Sequence, residues 1–209
     1  MTLQDALAAS PVVAILRGIR PDEALAHVEA LFAADVRGVE VPLNSADALE
    51  SIRRIAGIYG ARMAVGAGTV LSPKMVEAVA DAGGRIIVSP NTNLGVIARA
   101  VTLGLDPAPG FATATEAFAA YEAGARHLKL FPALTYGPAH LKQLKAVLPT
   151  DAVVWAVGGV GPNNMAEWWA AGARAFGIGG ELYRPGQSPA ETAVKAAPIV
   201  AAARRLVEP

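Results

Sequence analysis

Apolar and polar positions along the 209 residues fall into a repeating two-part pattern. Short apolar runs of strand length alternate with longer, alanine-rich segments whose apolar positions recur at the helical period. The runs are VVAILRG (12–18), VRGVEVPL (36–43), RMAVGAG (62–68), RIIVSP (85–90), LDPAPG (105–110), HLKLFP (127–132), VVWAVGG (153–159) and AFGIGG (175–180). LDPAPG is the least strand-like, because each of its two prolines removes a backbone donor. Helix ends are marked between the runs. Ser72-Pro73 and Ser188-Pro189 read as N-cap and first helical residue, and Thr113 with Glu116 as a capping box. Gly60, Gly83, Gly104, Gly124 and Gly172 read as helix closures.

A helix-to-strand joint recurs as AGGR (82–85), AGAR (123–126) and AGAR (171–174), with AADVR (33–37) resembling it. This internal repeat, together with eight strand-helix units in 209 residues, predicts an α/β fold: a small (βα)8 TIM barrel, one domain over residues 1–209 with a short N-terminal helix. The competing architecture is an open, doubly wound sheet. Its dinucleotide fingerprint is incomplete here, since VGAGTV has Leu71 where the third glycine belongs.

Composition narrows the partners. Hydrophobic residues make up 53% of the chain and charged ones 17%, enough apolar material for a sizeable core. Eighteen basic residues balance eighteen acidic ones with no basic cluster, so no nucleic acid is expected. The absence of cysteine excludes disulfides and thiolate chemistry and fits a cytoplasmic protein. MTLQDALAASP does not read as a signal peptide, and no apolar run has the length of a membrane span, so no membrane is expected.

Glu40 and Lys129 are ionisable residues set between apolar neighbours in the middle of two of these runs. Counting three residues past the arginine of each joint reaches Glu40, Val88, Lys129 and Gly177 on the second, fourth, sixth and eighth strands. Alternate strands of such a barrel contribute to one interior layer, so Glu40 and Lys129 are expected to enter the lumen at similar depth. An interior ion pair is one explanation, although desolvation makes such a pair a poor stabiliser. Chemistry is the other. Burial lowers a lysine pKa, and a neutral amine can attack a ketone to form a Schiff base.

Other unusual residues collect at the carboxyl ends of strands, where barrel enzymes build their sites. Arg17 on the first strand and Thr69 on the third suit a carboxylate. Pro90 and Asn91 end the fourth. Gly158 with Gly159, and Gly179 with Gly180, follow the seventh and eighth strands, where backbone N–H groups can approach a phosphate. His27, His127 and His140 lack metal-ligand spacing, and neither HExxH nor a Walker-type loop occurs, so no metal or other cofactor is expected. Trp168 and Trp169 are adjacent on one helix and cannot both face the barrel.

Taken together, AILRGI (14–19), GVEVPLNS (38–45), GAGTVL (66–71), SPN (89–91), PGFATATEA (109–117), LKLFPA (128–133), AVGGV (156–160) and GIGGELYRPGQS (177–188) resemble the class I, Schiff-base aldolases of 2-keto-3-deoxy-6-phosphosugar acids. The resemblance implies metal-independent cleavage of a phosphorylated keto-deoxy sugar acid to pyruvate and D-glyceraldehyde 3-phosphate. Lys129 stands at the family's Schiff-base position and Glu40 at its general acid/base. Substrate contacts are implied at Arg17, Thr69, Pro90, Gly158, Gly159, Gly179 and Gly180. The galactonate branch is the more similar one, because Asn44 stands where the gluconate branch has a carboxylate-binding arginine and Val157 where it has threonine. Close relatives have serine where this chain has Gly180, so one hydroxyl donor to phosphate is absent, and the gluconate epimer or an unphosphorylated 2-keto-3-deoxy acid is the alternative main substrate. A homotrimer is also implied. A phosphosugar isomerase or epimerase using Glu40, and a non-catalytic sugar-phosphate binding barrel, are the readings from other classes.

Overall fold

The computed structural model describes residues 1–207. A first helix, α1 (Leu3–Ala9), precedes the alternating series β1 (Val12–Ile15), α2 (Ala24–Ala33), β2 (Gly38–Pro42), α3 (Ala48–Tyr59), β3 (Ala64–Gly68), α4 (Pro73–Asp81), β4 (Ile86–Val88), α5 (Leu94–Thr102), β5 (Asp106–Ala108), β6 (Gly110–Phe111), α6 (Ala114–Glu122), β7 (His127–Leu130), α7 (Ala133–Lys145), β8 (Val153–Val157), α8 (Met165–Ala170), β9 (Ala175–Ile178) and α9 (Pro189–Val207). All pairings are parallel, in the order β5-β4-β3-β2-β1-β9-β8-β7-β6.

All eight predicted runs form strands of a (βα)8 barrel. LDPAPG does so in two pieces, because Pro109 separates β5, paired with β4, from β6, paired with β7. The Pro109 carbonyl accepts the amide of Lys129 at 2.8 Å, so the break is spanned at that point.

The recurring arginine of the joints has two tasks. Arg37, Arg126 and Arg174 each donate to the carbonyl five residues back, those of Phe32 (2.7 Å), Tyr121 (3.2 Å) and Trp169 (3.0 Å). Each guanidinium also lies over that same residue's aromatic ring, 4.1, 4.1 and 4.7 Å from its centroid. A cation at a helix C-terminus satisfies orphan carbonyls and opposes the helix dipole. Arg85 has Ala80 in the equivalent place and donates instead to Gly104 O.

The predicted caps form. Ser72 accepts from Met75 N, Thr113 and Glu116 complete a capping box, and Ser188 exchanges bonds with Glu191. Gly83, Gly104, Gly124 and Gly172 have the left-handed conformation of a helix closure. Gly60 departs from that expectation. It closes α3 with φ of −58°, an ordinary helical value, so left-handed freedom is not what the position requires, although a Cβ there would lie 2.6 Å from the Ala56 carbonyl.

Strand alternation divides the interior into two cores. Val39, Val41, Leu128, Leu130, Phe176 and Ile178 face the helices. Val13, Ile15, Ile86, Val88, Trp155 and Val157 face the lumen, together with Leu3 and Ala6 of α1. Helix α1 therefore closes one end of the lumen, and Leu3 N donates to Asp106 at 3.3 Å. Trp168 is buried, while Trp169 is half-buried under Arg174. No described helix is long and apolar enough to cross a membrane.

Because Leu3 is fully buried in the lumen cluster, Leu3→Ala is expected to reduce unfolding free energy by about 2–5 kcal/mol. A urea denaturation curve with an unchanged midpoint would contradict the closing role of α1.

Candidate active site

Glu40 sits at the middle of β2, opposite Ile15 on β1 and Gly66 on β3. Lys129 sits on β7 between Gly110 and Trp155. Their neighbours along each strand face the helices, so the period of two directs both side chains into the lumen. Glu40, Val88, Lys129 and Gly177 line one small space there, with Val13, Ile15, Trp155 and Val157. Counting from the arginine joints thus identified one real layer.

Glycine makes room for these long side chains. A Cβ placed on Gly68 would lie 1.8 Å from Oε2 of Glu40, so the carboxyl group occupies the volume a side chain would fill. At Gly177 a Cβ would meet Val157 at 2.8 Å and Ile15 at 3.3 Å. The Lys129 ammonium lies 4.7 Å from the ring centroid of Phe131.

Burial sets the electrostatics. Glu40 is 2% exposed and Lys129 6%. Desolvation pushes the Glu40 carboxyl up to about 7, against the opposing charges of Lys129 and Arg17. Desolvation likewise lowers the Lys129 pKa, opposed by Glu40 and aided by Arg17. Oε2 of Glu40 has no hydrogen-bond partner. An acid made weaker and a base made weaker in one apolar chamber have their proton affinities drawn together, as groups that exchange protons near neutrality require.

Above this pair, a cavity of about 300 Å³ is lined by Arg17, Phe131, Gly158, Gly159, Gly179, Gly180 and Glu181, among others. Ile15, Val157 and Gly177 line both spaces, so the cavity leads down to the buried pair. Arg17 is exposed at the mouth, and its Nη1 donates to Asn44 at 2.8 Å. Gly18 N donates to Ser45 Oγ, also at 2.8 Å. Thr69 and Pro90 lie just past the ends of β3 and β4, outside the lining of this cavity. Thr69 has φ of +57°, a left-handed conformation uncommon outside glycine, and Pro90 backs Gly110, where a Cβ would lie 2.3 Å from its carbonyl.

The two glycine pairs differ in kind. Gly158 and Gly159 have φ of +98° and +76°, so their backbone conformation itself calls for glycine. Gly179 and Gly180 have no such constraint; the nearest atoms to a Cβ there lie 3.9 and 3.8 Å away. Their small size simply leaves the cavity open.

Phe131 and Glu181 were not anticipated from sequence. For Phe131 a signal existed, because it lies two residues beyond Lys129 and shares its face parity. Glu181 lies in an irregular loop, where parity carries no information. His27, His127 and His140 are engaged elsewhere, with Thr192 Oγ1, Trp155 Nε1 and Ala112 O. Among the described residues no group of three or more potential metal ligands gathers.

Comparison with known proteins points to the same chemistry. A family model, "Aldolase: KDPG and KHG aldolase", matches residues 3–194. The 2-dehydro-3-deoxy-6-phosphogalactonate aldolase of Escherichia coli (strain K12) is 53% identical over 198 residues, covering 95% of this chain and 97% of that one. A solved structure described as native KDPGal has a TM-score of 0.93 at 53% identity, covering 94% of this chain and 96% of that one. KDPG aldolase from Legionella pneumophila, solved with pyruvate captured as a covalent carbinolamine intermediate, has a TM-score of 0.81 at 25% identity over 97% of each chain. Fold, buried amine and relatives converge on one class of protein, the barrel aldolases. The chain belongs to the KDPG and KHG aldolase family.

The raised Glu40 pKa makes a stability prediction. Folded Glu40 holds its proton more tightly than the unfolded chain does, so its favourable contribution is complete below about pH 4.5 and is lost as pH rises through about 7. At roughly 1.36 kcal/mol per pKa unit, the loss is on the order of 3 kcal/mol. Glu40→Gln should therefore gain stability relative to the parent chain across that interval. Parallel denaturation curves at every pH would contradict the assignment.

Proposed function

We propose that this protein is a class I aldolase cleaving 2-dehydro-3-deoxy-6-phospho-D-galactonate to pyruvate and D-glyceraldehyde 3-phosphate. The observation carrying this reading is a buried, pKa-lowered lysine and a buried, pKa-raised glutamate in one lumen beneath an open cavity.

Lys129, as the neutral amine, adds to the C2 ketone, and loss of water gives an iminium. Glu40, through a water molecule, takes the C4 hydroxyl proton as the C3–C4 bond breaks. The electron pair of that bond flows into the iminium and leaves an enamine, while the aldehyde departs. Glu40 helps return a proton to C3, and hydrolysis then releases pyruvate and restores the amine. The carbinolamine captured in the Legionella pneumophila relative supports the first step. No metal or other cofactor enters the scheme.

Arg17, held by Asn44, and Thr69 receive the carboxylate, and Pro90 borders the substrate. Gly158, Gly159, Gly179 and Gly180, which line the same cavity as Arg17, receive the phosphate. Gly180 supplies an amide but no hydroxyl, which costs roughly one neutral hydrogen bond, about 0.5–1.5 kcal/mol. Preference for the galactonate epimer is supported by the named activity of the E. coli relative and by apolar Val157 on the cavity wall. We place the enzyme in the cytoplasm as a homotrimer; sedimentation analysis tests the assembly.

Incubation with pyruvate and borohydride, followed by peptide mapping, should give one reduced adduct on Lys129. Lys129→Met should remove both adduct and cleavage while remaining folded; an adduct elsewhere, or activity in that variant, would refute the assignment. For substrate choice, kcat/KM should be higher for the galactonate compound than for its gluconate epimer. The reverse order would assign the enzyme to the other epimer.

A further inference from the structure

The loop from Gly179 to Ser188, which follows β9, begins as a tight turn. The carbonyl of Gly179 accepts from Leu182 N at 2.8 Å and Tyr183 N at 2.9 Å. Among the described residues, the amides of Gly180 and Glu181 make no hydrogen bond within the chain, and both residues line the cavity. Two unpartnered donors at such a place recognise an anion only if the turn is held still.

Arg184 Nε donates to the Gly180 carbonyl at 3.0 Å and the Tyr183 hydroxyl to Glu23 at 3.1 Å, and the side chain that ties the turn to α9 is Gln187. Gln187 Nε2 donates to the Leu182 carbonyl at 2.9 Å and to Thr192 Oγ1 at 2.6 Å. Its Oε1 accepts from Arg184 N at 3.1 Å and from Lys195 Nζ at 2.7 Å. Two donors and two acceptor positions are the full capacity of a carboxamide. The orientation is dictated by chemistry, since the reversed amide would set N–H groups against two other donors. Two of the partners lie in the turn and two on α9. Thr192 is fully buried and lies 2.8 Å from His27 Nδ1, which extends the tether to α2.

We infer that Gln187, which lines neither space of the site, is a positioning residue for the phosphate end of the substrate. Its four bonds help fix the turn that carries the Gly180 and Glu181 amides at the cavity. This inference rests on the phosphosugar reading above. Lys129 lies two strands away on β7, so imine chemistry is independent of the tether.

The test compares phosphorylated and unphosphorylated 2-keto-3-deoxygalactonate in the parent enzyme and in Gln187→Met and Gln187→Glu. Methionine removes all four bonds. Glutamate retains the acceptor bonds, and can accept from the Thr192 hydroxyl, but loses the donation to Leu182. For the phosphorylated substrate, KM should rise about tenfold in Gln187→Met and less in Gln187→Glu, with kcat changed less than about threefold. Cleavage of the unphosphorylated compound and borohydride trapping of pyruvate should be unchanged in both. Equal loss on both substrates would reduce Gln187 to a structural residue, and an unchanged KM would remove any role. A parent enzyme that does not distinguish the two substrates would instead overturn the phosphate reading, and this inference with it. Discrimination that survives in both variants would sink the positioning role alone.

Discussion

Desolvation of one amine and one carboxyl group inside a sleeve of aliphatic side chains is the constraint around which this molecule is arranged. An isolated buried charge is costly, and a buried pair barely breaks even. The lumen is nonetheless shaped to hold both. Gly68 yields its side-chain volume to the Glu40 carboxyl group, Phe131 offers its ring to the ammonium, and α1 closes the end away from the cavity. The cavity at the carboxyl-end mouth adjoins the space that holds the amine, which makes that end the approach for a substrate. Electrostatic tuning and access are two results of the same packing.

The outer architecture answers a different requirement. Each strand must enter the sheet in a set register, or Glu40 and Lys129 would turn outward into the helix layer. The arginine joint contributes to that register by fastening the start of a strand to the end of the preceding helix, through a carbonyl bond and an aromatic face at once. It recurs because the mechanical problem recurs. Where Ala80 replaces the aromatic residue, Arg85 turns to a different helix end.

Much of this was legible in the residues, and for identifiable reasons. The eight strands could be read because apolar period and glycine closures are local properties. The interior layer could be read because a fixed joint plus a period of two specifies which side chain faces inward, and this placed Glu40, Val88, Lys129 and Gly177 together. Properties that depend on distant segments were out of reach. Nothing near Gly158 or Gly179 tells that the first needs a left-handed backbone and the second only open space. Gln187 could not be picked out, because its partners at 182, 184, 192 and 195 converge only after the loop folds back on α9. Position 60 misled in the opposite direction, since a glycine can occupy a conformation any residue adopts.

The interruption at Pro109 bears on solubility. In the hydrogen-bonded order of the sheet, β5 and β6 are the two outermost strands, and they are consecutive pieces of one segment. That one segment therefore bridges the two margins, paired to β4 through β5 and to β7 through β6. Exposed strand margins are templates on which foreign chains add by backbone pairing, and prolines there deny a donor to any newcomer. With Pro107 and Pro109 at the discontinuity of the described sheet, two of the backbone donors such pairing needs are missing there.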